Sequence, residues 1–158
     1  GKEYAVDASL TQLKAIGISS VLVDLSGDIG VLGSEENGKP WRIGIQHPRK
    51  SNTAIASLDI FQGCLASSGD YERYFLRDGA RIHHIINPGT GRSTSSVRSV
   101  TIIADEAITS DALSTSVFVL GVKRGLALVN RLSAIDAIII DDKGLLHYSD
   151  GLLMPALD

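Results

Sequence analysis

The sequence has 158 residues, 44% apolar and 21% charged, with 15 Lys and Arg against 18 Asp and Glu for a net charge of −3. That length fits one domain with a buried core, and the mild acidity with scattered basic residues argues against a nonspecific nucleic-acid partner, which needs a basic stripe. A single cysteine, Cys64, excludes an internal disulfide framework and a cysteine-built zinc site.

In chain order, apolar residues at Tyr4, Ala5, Ala8, Leu13 and Ile16 predict an amphipathic helix that stops at Gly17. Val21 to Leu25 follows as a buried strand and runs into a glycine turn, Ser26-Gly27-Asp28-Ile29-Gly30. Ser34 to Pro40 is a polar hairpin loop. Trp41 to Gln46 and Thr53 to Phe61 alternate as strands. The apolar setting of Cys64 in Phe61 to Ala66 predicts a buried, inert thiol, and Ser67-Ser68-Gly69-Asp70 reads as a turn.

Tyr71 to Leu76 and Arg81 to Ile86 predict a hairpin closed by Arg77 to Ala80. Val97 to Ala104 is a further strand, Ser110 to Gly121 and Gly125 to Leu132 are helices, and Ile135 to Ile140 and Leu145 to Tyr148 are closing strands. Segregated helices and hairpins predict an α+β fold over residues 1–158 as a single domain, with a mixed or antiparallel sheet. No signal peptide, lipidation site or membrane-length apolar run is read along it. The chain opens abruptly in a helical pattern, so an upstream segment is expected to have been removed.

Two motifs carry the chemistry. Asp111 and Thr115 in Ser110-Asp111-Ala112-Leu113-Ser114-Thr115 stand one helical turn apart on one face. A carboxylate and a hydroxyl so placed can hold a hard cation through oxygen. The bland alternatives are a helix cap for Asp111 and a hydroxyl bonded back to a helical carbonyl for Thr115. The second motif is His83-His84-Ile85-Ile86-Asn87-Pro88-Gly89-Thr90-Gly91. Adjacent strand histidines point to opposite faces, so at most one reaches a given site. His84 at the mouth of a Pro-Gly turn could bind phosphate or transfer a proton, bringing both the imidazole and the turn backbone near the cation; a packed or solvent-facing histidine is the alternative.

Taken in order, Gly1 to Asp7, Ser26 to Ile29, Trp41 to Ile45 with Pro48, Ser67 to Phe75, His84 to Gly91 and Asp111 to Thr115 resemble the FAD:protein FMN transferases, the ApbE-like flavin transferases. The resemblance implies an ApbE-like, T-fold-related fold, of which this chain is the carboxy-terminal half. It implies a transferase that uses Mg²⁺ and moves FMN from FAD onto a threonine of a target protein, releasing AMP. Asp111 and Thr115 match the family's metal ligands, Lys2 and Ile85 its FAD-binding positions, and His84 a histidine tied to activity. The implied partners are flavoproteins of membrane redox complexes and the missing upstream half of the protein. The implied location is the periplasm, anchored at the inner membrane. The chain departs from the family pattern at Ser26, Asn87 and Gly89, where a glycine, an aspartate and an arginine are usual. A flavin-binding module or a non-catalytic scaffold of the same fold is the alternative function.

Overall fold

A computed structural model describes residues 1–153. Helix α1, Lys2–Ala15, ends where Gly17 turns left-handed at φ 88° and its amide donates to the Lys14 carbonyl. Strand β1, Val21–Leu25, pairs antiparallel with β2, Asp28–Leu32, with Leu25 opposite Asp28. The two residues between them, Ser26 and Gly27, have φ of 57° and 91°, the primed turn that matches strand twist. The hairpin of β3, Trp41–Gln46, and β4, Ala54–Ile60, leads into β5, Gln62–Gly69.

Short strands follow: β6, Tyr74–Arg77, with β7, Ala80–His83, then β8, Ile86–Asn87, with β9, Arg92–Ser93. Strand β10, Val97–Ala104, precedes the long helix α2, Ala107–Val129. Strands β11, Asp136–Asp141, and β12, Leu146–Tyr148, and the short helix α3, Asp150–Leu153, complete the described chain.

A six-stranded sheet in the order β1-β2-β5-β10-β11-β12 is antiparallel at every pairing. Side chains alternate across it. On one face Val100, Ile102 and Ile139 pack with Val117 and Phe118 of α2, while Cys64 packs with Val6 of α1 and Ala107. On the other face Val31, Leu65 and Ile138 pack with Ile43 and Ile45 of the β3–β4 hairpin. The domain is thus an α+β fold of three layers: helices, sheet, hairpin.

Three expectations are corrected. Residues 26–30 are not all turn, because β2 begins at Asp28. Residues 62–69 form a central strand rather than an apolar stretch followed by a turn. The glycines that disguise both strands have a packing reason. A Cβ on Gly30 would sit 2.6 Å from Leu10 Cδ1 and 2.7 Å from Val6 Cγ1, so α1 lies directly on β2 there.

The third correction concerns the start of α2, at Ala107 rather than Ser110. The non-helical Gly121 (φ 76°, ψ 174°) divides Ala107–Val129 into two helical segments joined at a kink, in line with the two helices the sequence predicts. Helix α2 is long and apolar enough, by length and composition, to cross a membrane. Here it packs on the sheet with Ser110, Ser114, Val117 and Phe118 buried. Cys64 is fully buried, and burial first, then the Asp7 charge, pushes its thiol up to about 12, so it is inert.

Candidate functional site

A cleft of about 410 Å³ opens beside α1 and α2, lined by Lys2, Asp28, Ser68, His84, Asp111 and Thr115 among others. Helix α1 delivers Lys2, and the β1–β2 turn delivers Asp28. Central strand β5 delivers Ser68, the segment after β7 delivers His84, and the first turns of α2 deliver Asp111 and Thr115.

Asp111 is not a cap. Helix α2 starts at Ala107, and its free amides are taken from a distance by Asp7 of α1: Ala107 N donates to Oδ1 at 2.7 Å and Ile108 N to Oδ2 at 3.1 Å. Ser110 is likewise committed to the fold, donating to the carbonyls of Cys64 and Glu106. The Asp111 carboxyl is pushed above its ordinary range by burial first, then by the charges of Glu3 and Asp28, with Lys2 opposing. Thr115 Oγ1 lies 2.9 Å from Ser68 Oγ, which lies 2.8 Å from Ser114 Oγ. A threonine hydroxyl donating to Ser68 keeps its lone pairs for another partner.

This donor set suits a hard divalent cation such as Mg²⁺. Every candidate atom is oxygen, and a carboxylate held above its normal range by burial, and then by neighbouring negative charge, is relieved by a positive one. Asp111 and Thr115 do not complete a coordination shell. Among the described residues no three His, Cys, Asp or Glu side chains converge on one point, so further oxygens must come from carbonyls, water or a ligand.

Lys2 Nζ lies 2.9 Å from Asp28 Oδ2 and donates to the Ser26 carbonyl at 3.3 Å. Contact with Asp28 is the main reason the Lys2 ammonium holds its proton above the usual lysine range. Asp28 is buried, and its Oδ2 has no aligned hydrogen-bond donor: the approach to Lys2 is an ion pair by distance without the angle of a good hydrogen bond.

The two histidines divide as their alternation requires. His83 is buried edge-on against Phe118, ring centroids 5.6 Å apart. Its Nε2 lies 2.7 Å from the Thr94 carbonyl and its Nδ1 accepts from Ile85 N, so both ring nitrogens are spent on structure. His84 faces the cleft, with Nδ1 3.3 Å from the Arg73 carbonyl. A carbonyl can only accept, so Nδ1 carries the hydrogen in the neutral ring and Nε2 keeps a lone pair.

Two sequence expectations are not brought to the cleft. Ile85 is 4% exposed and its side chain packs in the core with Val97, Val100 and Phe118. It does not line the cleft: in the short link between β7 and β8 its side chain turns into the core while that of His84 turns out to the cleft. The turn Asn87 to Gly91 also lies outside the lining. It closes on itself, with Gly89 N donating to Asn87 Oδ1 at 2.9 Å and Gly91 N to the Asn87 carbonyl at 2.8 Å.

Asp28 and Ser68, conversely, line the cleft although the sequence expectation for both is a turn. The signal for Asp28 was present: Ser-Gly between two alternating apolar runs is a two-residue hairpin, which makes Asp28 a strand residue.

The sequence matches the ApbE family over residues 1–139. It is 35% identical to a FAD:protein FMN transferase of Vibrio cholerae over 99% of this chain and 48% of that protein. In structure it resembles the ApbE protein of Thermotoga maritima with a TM-score of 0.85 and 36% identity, over 96% of this chain and 50% of that one. The Pseudomonas stutzeri flavinyl transferase ApbE, in its apo form, gives 0.80 and 34% over 95% and 48%. The chain spans about half the length of the curated relatives it matches.

Proposed function

The chain belongs to the ApbE family, and from that premise we propose that its cleft is the phosphate- and metal-binding half of a site that transfers FMN from FAD to a threonine of another protein. The observation that carries this reading is the convergence of Lys2, His84 and the Asp111–Thr115 pair, from three separate segments, on one polar cleft.

In this reading Asp111 and Thr115 hold Mg²⁺ together with oxygens from outside these two side chains. Bound there, the cation would neutralise charge on the FAD diphosphate and orient it. Lys2 adds a fixed positive charge toward the same diphosphate. The threonine oxygen forms a bond to the FMN phosphorus, the bond from that phosphorus to the bridging oxygen breaks, and AMP leaves with that oxygen. The proton from the threonine goes to His84 Nε2, the nitrogen that the Arg73 carbonyl leaves free. Ile85 acts from below: its buried side chain anchors the link between β7 and β8 that turns His84 toward the cleft.

The test is AMP release from FAD in the presence of Mg²⁺ and a threonine-bearing acceptor domain, followed by chromatography. His84→Ala should lower the rate by a factor of about 10² to 10⁴, the range for a lost acid–base group, with FAD binding retained. An unchanged rate would remove His84 from the chemistry.

A further inference from the structure

Asp28 has no part in the function proposed above, yet its chemistry is the least explained in the cleft. It is 5% exposed, it lines the cleft wall, and its Oδ2 is buried without an aligned donor. A carboxylate in that state is costly unless an opposite charge stands close. The nearby cation is Lys2, at 2.9 Å. Lys2 is itself half exposed, at the end of a four-carbon stem that in water samples many rotamers.

Resting on the flavin-transfer reading, we infer that Asp28 is a positioning residue: with the Ser26 carbonyl, it holds the Lys2 ammonium in one orientation at the cleft, ready for the ligand's phosphate charge.

Both sides of this clamp are rigid. The acceptors belong to one turn: the Ser26 carbonyl lies within Ser26-Gly27 and Asp28 directly follows it, and the left-handed backbone there is closed by Gly27 N donating to Asp24 Oδ1 at 2.9 Å. The backbone that carries Lys2 is set against that turn because α1 sits on β2 at Gly30, with Val6 and Leu10 filling the space where a Cβ would be. A lysine held at two acceptors before the ligand arrives loses less freedom on binding than a free one. The rival role for Asp28 is direct: an additional oxygen for the cation of the Asp111 site, independent of Lys2.

A double-substitution cycle separates the two roles, with FAD affinity measured by flavin fluorescence at saturating Mg²⁺ in the full protein that carries this chain. Asp28→Asn should weaken FAD binding about tenfold, and Lys2→Met by at least as much. The double variant should then be no weaker than Lys2→Met alone, within about twofold, because Asp28 acts through Lys2. Asp28→Glu keeps the charge and should recover most of the affinity, a rescue that a purely structural role would not predict.

If Asp28→Asn binds FAD like the parent protein, or weakens the Lys2→Met background by its full factor again, the positioning role is overturned. Should Asp28→Asn fail to fold, the same decision comes from Asp28→Glu: near-parent affinity supports the clamp, and a loss in the Lys2→Met background contradicts it. A parent protein that binds no FAD at all would overturn the flavin-transfer reading itself, and this role with it.

Discussion

A carboxylate kept partly buried beside two others is expensive to hold in its charged form, and Asp111 is in that position next to Glu3 and Asp28. Because folding raises its pKa, the folded state prefers the protonated form. Stability therefore increases as pH falls through the folded value, and the charged form at neutral pH is a net cost to the fold. Asp111→Asn should accordingly melt no lower than the parent at pH 7 without metal, while losing the rise in Tm that Mg²⁺ gives the parent. A melting temperature several degrees lower, or an intact Mg²⁺ response, would contradict a ligand role.

Asp141 shows the opposite sign. His147 Nε2 at 2.9 Å, helped by the Leu145 and Lys143 amides, lowers its carboxyl from 3.8 to about 2. That contribution is present above the unfolded value and is lost as pH falls from 3.8 toward about 2. An acid-unfolding profile of Asp141→Asn should be flatter than the parent's across that window.

At the scale of elements, the capping of α2 by Asp7 ties the two helices together across the first hundred residues of the chain. Asp7→Ala should destabilise the fold by about 1–2 kcal/mol in denaturant titration, as for other lost caps. A loss near zero would mean water replaces the carboxylate. This distant cap is also why the local sequence does not mark the start of α2. With Asp7 far upstream, the local sequence offers Asp111 as an alternative cap and places the predicted helix start at Ser110.

Elements with local signals were legible, including β1, β3, β10 and the glycine stop of α1. Strands β2 and β5 were not, since Gly30 is small to admit α1, Ser67 bonds to Thr101 on the neighbouring strand, and Ser68 bonds across to Ser114 and Thr115 of the helix layer. Those are tertiary demands, and they erase the alternation by which a strand is read.

For the whole molecule, the hairpin layer is tied to the sheet by a partly buried ion pair. Arg49, from the loop after β3, grips Asp70 at the end of β5 with two contacts of 2.6 Å. Asp70 is nearly buried while Arg49 is about a third exposed. Arg49→Ala should therefore cost about 2–3 kcal/mol, below the ~3–5 kcal/mol of a fully buried pair, since water can partly reach the stranded carboxylate. A cost under 1 kcal/mol in denaturant titration would show that the pair contributes no more than a surface one.

The candidate site has the same long-range character. Only the Asp111–Thr115 pair could be placed by spacing alone; bringing Lys2, Asp28 and His84 to the same cleft requires the sheet order and the seating of α1 on β2.

The claim that this cleft serves flavin transfer is tested most directly by weighing the acceptor. The protein carrying this chain would be incubated with FAD, Mg²⁺ and a threonine-containing acceptor domain, and the acceptor's intact mass recorded. The account predicts a gain of one FMN moiety that disappears when Mg²⁺ is chelated and when Asp111 is replaced by Asn. An acceptor of unchanged mass, from a protein that demonstrably binds FAD and Mg²⁺, would contradict it.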